Sequence, residues 1–575
     1  MGAKPHNVAH QIARFLDAIG TRYVFGLCGH TVIAMLDAFH GSRLRFVMTR
    51  HEQIAAHMAD GYARASGECG VLLTHLGPGL TNAATGVANA ALDSVPMLVI
   101  AGDVPGYFFG RHPHQEIQYH NDGDQSAIYR PFVKRVWRVT HPRGLGRILE
   151  RAYLLATSGR PGPVLISVAM DVFSRPAEEP DPQPPTPPAR PGIDPDVARQ
   201  IAERLLSARR PVIYVGGGVI TSGATDVLRQ VAEHLNAPVA YSLMGKGALP
   251  DDHPLTLGMT GFWGTELTNR VTREADVLLA VGTRFAEADA SSWDPRFTFA
   301  IPPTDLIHID IDPAEIGRSF PATIGAVGDA RAALHAVLGA LRELEPGGAK
   351  GHVELREIQA ERRMWLEHIA GPMRSGEFPL APQRILADVR AVVPRDGILV
   401  TDVGWNKNGV GQQFPIYLPR THLTPGGLAT MGFGPAAVMG AKLARPDRPC
   451  VALVGDGAFS ANPSVLATAA EQDIAVVWVV MNNQAHGTIA GLMQQHYGHC
   501  LGCEFQRSGE AYSPDFAAVA RAYGVEGVRI ERAEDLAPTL ARALTAGRPT
   551  VLDVPMTNVP VPTAGHWDIN DIYRW

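Results

Sequence analysis

Apolar residues cluster in two alternating ways along this chain. From Val8 to Ile19 they fall at Val8, Ile12, Phe15, Leu16 and Ile19, the spacing of one helical face. Residues 23–25 then form a short apolar run that predicts a strand, and further strands are predicted at 45–49, 71–74, 97–101 and 164–168 with helical patterns between them. Strand and helix in alternation imply a parallel sheet covered on both faces. Residues 175–191 are dominated by proline and acidic side chains and can hold no regular element, so an extended Pro-rich linker is placed at 175–196, after a first domain at 1–174. A second block, 197–343, opens with a helix over 197–207 and carries strands at 211–215, 238–242, 276–281 and 306–311. A charged, partly helical connector at 344–379 leads to a third block, 380–575, with strands at 398–401, 451–454, 476–481 and 551–554. The pattern predicts an α/β protein of three doubly wound α/β domains, one architecture used three times.

Composition narrows the partners more than the fold. The 575 residues are 46% hydrophobic and 19% charged, ample apolar material for several cores. A formal net charge of -6 without a long basic run argues against nucleic acid and anionic membrane as partners. No apolar run is long enough to span a bilayer, and the first residues lack a charged-then-apolar secretory pattern, so the expected location is the cytoplasm. Five cysteines (Cys28, Cys69, Cys450, Cys500, Cys503) are too few for a disulfide scaffold.

The chemistry concentrates where one β-α-β unit joins Gly455-Asp456-Gly457 to Asn482-Asn483. The strand-like run 450–454 leads into a glycine turn bearing one carboxylate. Asn462 and Pro463 predict the N-cap and first position of a helix running to about Glu471, and 475–481 returns as a parallel strand. Both motifs then lie at carboxyl ends of neighbouring strands, where open α/β sheets bind ligands. Backbone N–H groups of the turn and helix start suit a diphosphate, and Asp456 and Asn483 offer hard oxygen ligands for a bridging Mg²⁺. For either motif alone, an ordinary loop turn is the alternative.

Together the two motifs resemble the thiamine-diphosphate signature in spacing and context. The resemblance implies thiamine diphosphate and Mg²⁺ as cofactors, with the diphosphate at Gly455, Asp456 and Gly457 and the metal on Asp456, Asn483 and the carbonyl of Ala485. Over essentially the whole chain, Arg50-His51-Glu52-Gln53, Gly77-Pro78-Gly79, Leu92-Asp93-Ser94-Val95-Pro96, the run 307–317 and Gly426-Gly427-Leu428-Ala429-Thr430-Met431-Gly432 resemble the acetolactate synthase group. That implies a pyrimidine-binding first domain, a central Rossmann-like domain, a diphosphate-binding last domain, and a homodimer or homotetramer.

Within this resemblance Glu52 matches the carboxyl that bonds the aminopyrimidine ring, so that the exocyclic nitrogen can take the C2 proton of the thiazolium. Read from residues alone, Thr49-x-x-Glu52 is also a capping box opening a helix through Tyr62. Met431 matches the bulky residue over which the cofactor bends, backbone groups of Ala429 and Met431 would hold the pyrimidine edge, and Asn406 matches a diphosphate contact more loosely. On the substrate side, Cys28 and His30 stand where the family carries proline and glycine. His75 aligns with a small hydroxyl residue in acetolactate synthases and with a catalytic histidine in the benzoylformate decarboxylase relatives; a side chain titrating near neutrality could shuttle protons there. Gln115 matches a glutamine that hydrogen-bonds intermediates in acetolactate synthase and benzaldehyde lyase. Structural roles remain open for His30, His75 and Gln115.

After Asn483, the run Gly487-Thr488-Ile489-Ala490-Gly491-Leu492-Met493 lacks the tryptophan with which acetolactate synthases select their acceptor, which argues against true acetolactate synthase specificity. His486 could face either substrate or solvent. FAD occupies the central domain of acetolactate synthases, but it is not favoured here, because Arg284-Phe285-Ala286-Glu287 lacks their acidic-arginine pattern. Gly216-Gly217-Gly218 invites a dinucleotide reading that Thr221 breaks, leaving a tight strand-to-helix turn. The expected function is a carboligase or lyase acting on 2-keto acids, aldehydes or 2-hydroxyketones through an acyl anion equivalent. Non-oxidative 2-keto acid decarboxylation and a non-catalytic cofactor-binding protein are the alternatives. Three features stay unassigned. Cys500-x-x-Cys503 with His496 and His499 is half a zinc site, a redox pair or reduced thiols in a flexible loop. His112, His114, His120, Asp122 and Asp124 mark a second metal or a gating or interface loop, and an aromatic tail runs from His566 to Trp575.

Overall fold

The computed structural model describes residues 6–117, 124–560 and 562–564. Three six-stranded sheets carry the chain, and the pairings within them are parallel. Across the first sheet the order is Arg45–Met48, Tyr23–Gly26, Gly70–Thr74, Met97–Asp103, Pro163–Ala169, Val136–Val139. The third repeats it with His422–Leu423, Ile398–Thr401, Cys450–Gly455, Val477–Asn482, Thr550–Pro555 and Glu526–Arg529. Numbered within its own domain, each reads 2-1-3-4-6-5. The central sheet runs Ile324–Val327, Asp305–Asp310, Val277–Val281, Pro211–Val215, Val239–Tyr241, Thr256–Met259, which from the other edge is 3-2-1-4-5-6, the dinucleotide-fold order. Three α/β domains are therefore present, but in two architectures, a matching outer pair around a different middle.

The strands that the hydrophobic pattern predicts are mostly interior ones, such as Gly70–Thr74, Met97–Asp103 and Pro211–Val215, buried throughout because helices cover both faces. Val136–Val139, Thr256–Met259, Ile324–Val327, His422–Leu423 and Glu526–Arg529 escape the pattern, and all five lie at sheet edges. An edge strand needs only one neighbour and tolerates polar or exposed positions, such as Arg138, Val327 and Arg529. Residues 177–191 are extended, yet laid on the first domain: Ala177 N–H donates to the His6 carbonyl, and the Gln11 amide to the carbonyls of Glu179 and Pro180 at 3.0 Å. Much of the connector is the helix Leu355–Ile369.

The outer domains meet along the helices Glu52–Ser66 and Phe433–Ala444, whose apolar faces belong to one continuous core with Met58, Tyr62, Phe433 and Val438. Glycines bring the two backbones into contact. A Cβ on Gly61 would stand 2.2 Å from the Ala437 carbonyl oxygen, and one on Gly440 would stand 1.9 Å from that of Met58. Backbone cannot yield as a side chain can, so no other residue fits without parting the helices. Gly440→Ala should cost about 1–3 kcal/mol or more through overpacking, read as a lowered thermal unfolding midpoint. Gly339→Ala, on the exposed side of the helix Ala330–Leu344 with open space around it, should be neutral or slightly stabilising.

Candidate active site

In both outer sheets the connection direction reverses beside the first and third strands of the domain, and the crevice beyond that point is where open sheets bind ligands. The predicted site residues gather there. His30 follows Tyr23–Gly26, Glu52 follows Arg45–Met48 and His75 follows Gly70–Thr74. In the third domain Asn406 follows Ile398–Thr401, Asp456 follows Cys450–Gly455, and Asn483 follows the neighbouring strand Val477–Asn482.

Gly455-Asp456-Gly457 is not a free turn: Gly455 is the N-cap and Asp456 the first residue of the helix Asp456–Ala461. Asn462 closes that helix as its C-cap, and Ser464 caps the next one, Val465–Glu471, so the expected N-cap at Asn462 is corrected. The Asp456 carboxylate accepts from its neighbour Gly457 N–H at 2.9 Å and from Gln484 N–H at 2.7 Å across the crevice. Burial pushes its pKa up to about 6, against the lowering effect of those bonds. The Asn483 amide oxygen faces Asp456 Oδ1 at 3.2 Å and the Ala485 carbonyl at 3.0 Å, while its nitrogen donates to Asn558 Oδ1 at 3.1 Å. Three acceptors in contact with no hydrogen between them repel. Turning the amide would relieve this with N–H donors; a cation relieves it without turning. Neighbouring ligands of octahedral Mg²⁺ stand about 3.0 Å apart when each bond is about 2.1 Å, and the Asn483 amide stands at about that spacing from both Asp456 and Ala485. Gly487 is required beside them, since its Cβ would stand 2.5 Å from both Asn483 and Asn558. Gly457 leaves room for the His486 ring, 2.6 Å from where its Cβ would be. His486 packs edge-on against Phe505.

In the first domain the helix Glu52–Ser66 is capped by His51, whose ring accepts from Gln53 N–H at 3.2 Å. Thr49 instead donates to the carbonyls of Gly26 and His51, so the capping-box alternative for Glu52 does not form. Glu52 is buried and accepts from the Asn82 amide at 3.0 Å. Gly79 separates it from His75: a Cβ there would lie 3.2 Å from His75 and 3.5 Å from Glu52 Oε1. His75 is buried and bonded on both nitrogens, Nδ1 to Thr31 Oγ1 and Nε2 to Gln115 Oε1, each at 2.7 Å. An amide oxygen only accepts, so the proton resides on Nε2 and the Thr31 hydroxyl donates to Nδ1. Leu76 N–H, at 3.4 Å, completes the chain by donating to Thr31. The His30 ring lies 4.6 Å from that of His75 and 6.1 Å from His114; desolvation first, then those two neighbours, lower its pKa. Gln115 holds this position from a left-handed backbone, φ 65°, packed on Gly77.

The loop 424–432, which carries Ala429 and Met431, is clamped by side chains from elsewhere. Asp93 accepts from Gly426 N–H at 3.1 Å and Gly427 N–H at 2.6 Å. Arg64 donates to Asp93 (2.8 Å), to Asp60 (2.5 Å) and to the Thr424 carbonyl (2.8 Å), and lies over the Phe433 ring. At the far end Asp402 accepts from Gly432 N–H (3.1 Å) and Gly434 N–H (2.7 Å). Ala429 has φ 55° and Met431 is half-buried. Asn406 spends its amide on Asp402 N–H and the Val403 carbonyl, and so shapes the turn beside Gly455. Thr31, Asn82, Arg64, Asp93, Asp402 and Asn558 were not legible as site residues, because their partners lie far away in sequence. Among the described residues no hydrogen bond or ion pair links the Glu52–His75 group to the Asp456–Asn483 group.

The remaining motifs fall elsewhere. Gly216 and Gly218 pack against Gly282, with Cβ positions 2.2 and 2.8 Å from its backbone, as a tight turn requires. Phe285, in the segment weighed for FAD, is buried against Tyr214, Phe299 and Phe320. His120, Asp122 and the tail from His566 lie outside the described residues, and among those described no cluster of three or more His, Cys, Asp or Glu could hold a metal.

Three family models match the chain: "Thiamine pyrophosphate enzyme, N-terminal TPP binding domain" over residues 6–128, its central domain over 198–337, and its C-terminal TPP binding domain over 402–554. The chain is 38% identical over 562 residues to the probable acetolactate synthase large subunit of Methanocaldococcus jannaschii, covering 95% of this chain and 91% of that one. It is 34% identical over 546 residues to the acetolactate synthase isozyme 3 large subunit of Escherichia coli K12, covering 93% and 92%. To the acetolactate synthase large subunit of Corynebacterium glutamicum it is 36% identical over 562 residues, covering 95% and 86%.

A cation needs Asp456 ionised. With the free carboxyl titrating at about 6, divalent-cation affinity should be flat above that pH and weaken about tenfold per unit below it. Titration of Mg²⁺ in the presence of thiamine diphosphate between pH 5 and 8, followed by intrinsic fluorescence, checks this; Asp456→Asn should flatten the profile at weak affinity.

Proposed function

The chain belongs to the acetolactate synthase-like group of thiamine-pyrophosphate enzymes, and from that premise we propose a thiamine-diphosphate- and Mg²⁺-dependent carboligase or lyase. Its substrates are 2-keto acids, aldehydes or 2-hydroxyketones, whose carbon–carbon bonds it makes or breaks. One observation carries the reading: the Asn483 amide stands 3.2 Å from Asp456 Oδ1 and 3.0 Å from the Ala485 carbonyl, separations suited to neighbouring ligands of a divalent cation, beside a helix start that can take a diphosphate. When bound, the cofactor supplies a carbanion that adds to a carbonyl carbon.

The residues of the chain bind, orient and move protons around that chemistry. Asp456, Asn483 and the Ala485 carbonyl would hold the cation, and the start of the helix Asp456–Ala461 would take the diphosphate. Glu52, buried and held by the Asn82 amide, would be the residue that bonds the pyrimidine ring of the cofactor and holds or gives up a proton there. Met431 would pack against the cofactor, while Arg64 and Asp93 fix the loop that carries it. His75 presents Nε2–H toward Gln115, a donor able to hold a carbonyl or alkoxide oxygen of the substrate; His30 lies next in line. The helix Gly487–Tyr497 opens without a tryptophan, so the acceptor differs from that expected of acetolactate synthases. The His75 donor also favours, as a second reading, simple decarboxylation of a 2-keto acid.

The two groups of site residues are half-sites, each completed by the opposite half of a second copy in a homodimer or homotetramer. Exposed apolar side chains flank both: Ile33, Tyr107, Phe108 and Ile117 near the histidines, Ile489, Tyr497 and Leu501 after the cation turn. No helix among the described residues is long and apolar enough to cross a membrane, and the proposed location is the cytoplasm.

Incubation with thiamine diphosphate, Mg²⁺ and a panel of keto acids, aldehydes and hydroxyketones, with products read by chromatography, tests the reaction. Glu52→Gln should lower turnover about 10²- to 10⁴-fold while leaving thiamine diphosphate binding nearly intact. Full activity in that variant would remove Glu52 from the mechanism.

A further inference from the structure

Cys500 and Cys503 take no part in the groups described so far, yet both are free thiols on a segment fastened to the cation turn. Cys503 uses its own carbonyl to accept His486 N–H at 2.7 Å, Phe505 N–H donates to the Gln484 carbonyl at 2.8 Å, and Ala485 pairs with Glu504 as an antiparallel bridge. Residues 484–486 thus lie on 503–505 as a short ladder, with Ala485 at its middle and Asn483 just before it.

The thiols face the same helix. Cys500 Sγ contacts the Ala490 carbonyl at 3.3 Å and Cys503 Sγ contacts Met493 Sδ at 3.3 Å, so both sulfurs lie on one face of Gly487–Tyr497, one turn apart. Gly502 between them takes φ 73°, folding the intervening residues into a turn. Cys500 is partly accessible and Cys503 is buried.

We propose that Cys500 and Cys503 form a thiol–disulfide exchange centre that takes a low-molecular-weight disulfide as substrate and, once oxidised, weakens cofactor binding at the adjoining turn. Cys500 attacks one sulfur of the small disulfide as a thiolate and expels a small thiolate, which takes up a proton. Cys503 then attacks the Cys500 sulfur of the mixed disulfide and expels the second. Two protein thiols lose two electrons and two protons; one small disulfide becomes two small thiols. Closing the bond withdraws both sulfurs from the helix and turns Cys503, whose carbonyl holds His486. The coupling to the cofactor rests on the proposed reading of Asp456, Asn483 and Ala485; the exchange itself does not. Desolvation, then Glu504 and Cys503, raise the Cys500 thiol above its ordinary value, so exchange should quicken as pH rises.

The test uses the holoenzyme with thiamine diphosphate and Mg²⁺, incubated with oxidised glutathione at pH 7 and pH 9. Peptide mapping by mass spectrometry should find a Cys500–Cys503 crosslink lacking two hydrogens, forming faster at the higher pH. Thiamine diphosphate affinity should fall about tenfold and return with dithiothreitol. C500S should retain basal activity, form no crosslink and keep its affinity under oxidant, although the exposed Cys28 is still present. Absence of the crosslink overturns the exchange centre, and a crosslink with unchanged affinity overturns the coupling. If the reduced protein binds no thiamine diphosphate, the cofactor reading fails and the coupling with it, while the crosslink still decides the exchange.

Discussion

The Arg64 guanidinium, buried between Asp60 and Asp93, is the contact on which the geometry of this molecule turns. One cation faces two carboxylates, and neutral donors absorb the excess charge: the Asn89 amide on Asp60, and the N–H groups of Gly426 and Gly427 on Asp93. Such a cluster is costly to desolvate and costlier to break, because removing one partner strands the others, at about 3–5 kcal/mol. Its use here is placement. Arg64 and Asp93 belong to the first domain, whereas Thr424, Gly426 and Gly427 belong to the loop that presents Ala429 and Met431. Two sheets that share one core between them are thereby held in one register.

The same division of labour recurs around the crevice. The oxygens of Asp456, Asn483 and Ala485 belong to the third domain and the side chains of Glu52, His75 and His30 to the first, while neutral hydroxyls and amides set their orientation. Gln115 fixes which nitrogen of His75 carries the proton; Asn82 donates to Glu52, and Asn558 accepts from Asn483. The groups able to do chemistry are few, and each is steered by a neighbour that is not itself reactive.

This explains what could be read from the sequence. Interior strands are continuous apolar runs and were legible; the five edge strands, which need no apolar run, were not. Asp456, Asn483 and Glu52 stand out in the sequence because side-chain identity and local spacing carry the motifs they lie in. Thr31, 44 positions from His75, and Asp93, 334 from Gly427, act through contacts that only folding creates. The single predicted architecture also failed at this level, since alternation of strand and helix is blind to the order in which strands are laid side by side. Asn462 was misread for a local reason: Asn followed by Pro is a good helix opening, but here it closes one short helix before the next.

The contact of Gly61 with the helix of Gly440 has a consequence for biosynthesis. The residues are 379 apart (440 − 61), and the first helix cannot be covered until the second has been made. At about 5–20 residues per second, a ribosome needs roughly 20–75 seconds to bridge that interval. During it the face of Glu52–Ser66 that Phe433–Ala444 will cover stays open. Such a nascent protein is a natural client for chaperones, and its vulnerable period is set by translation speed rather than by the stability of the finished fold.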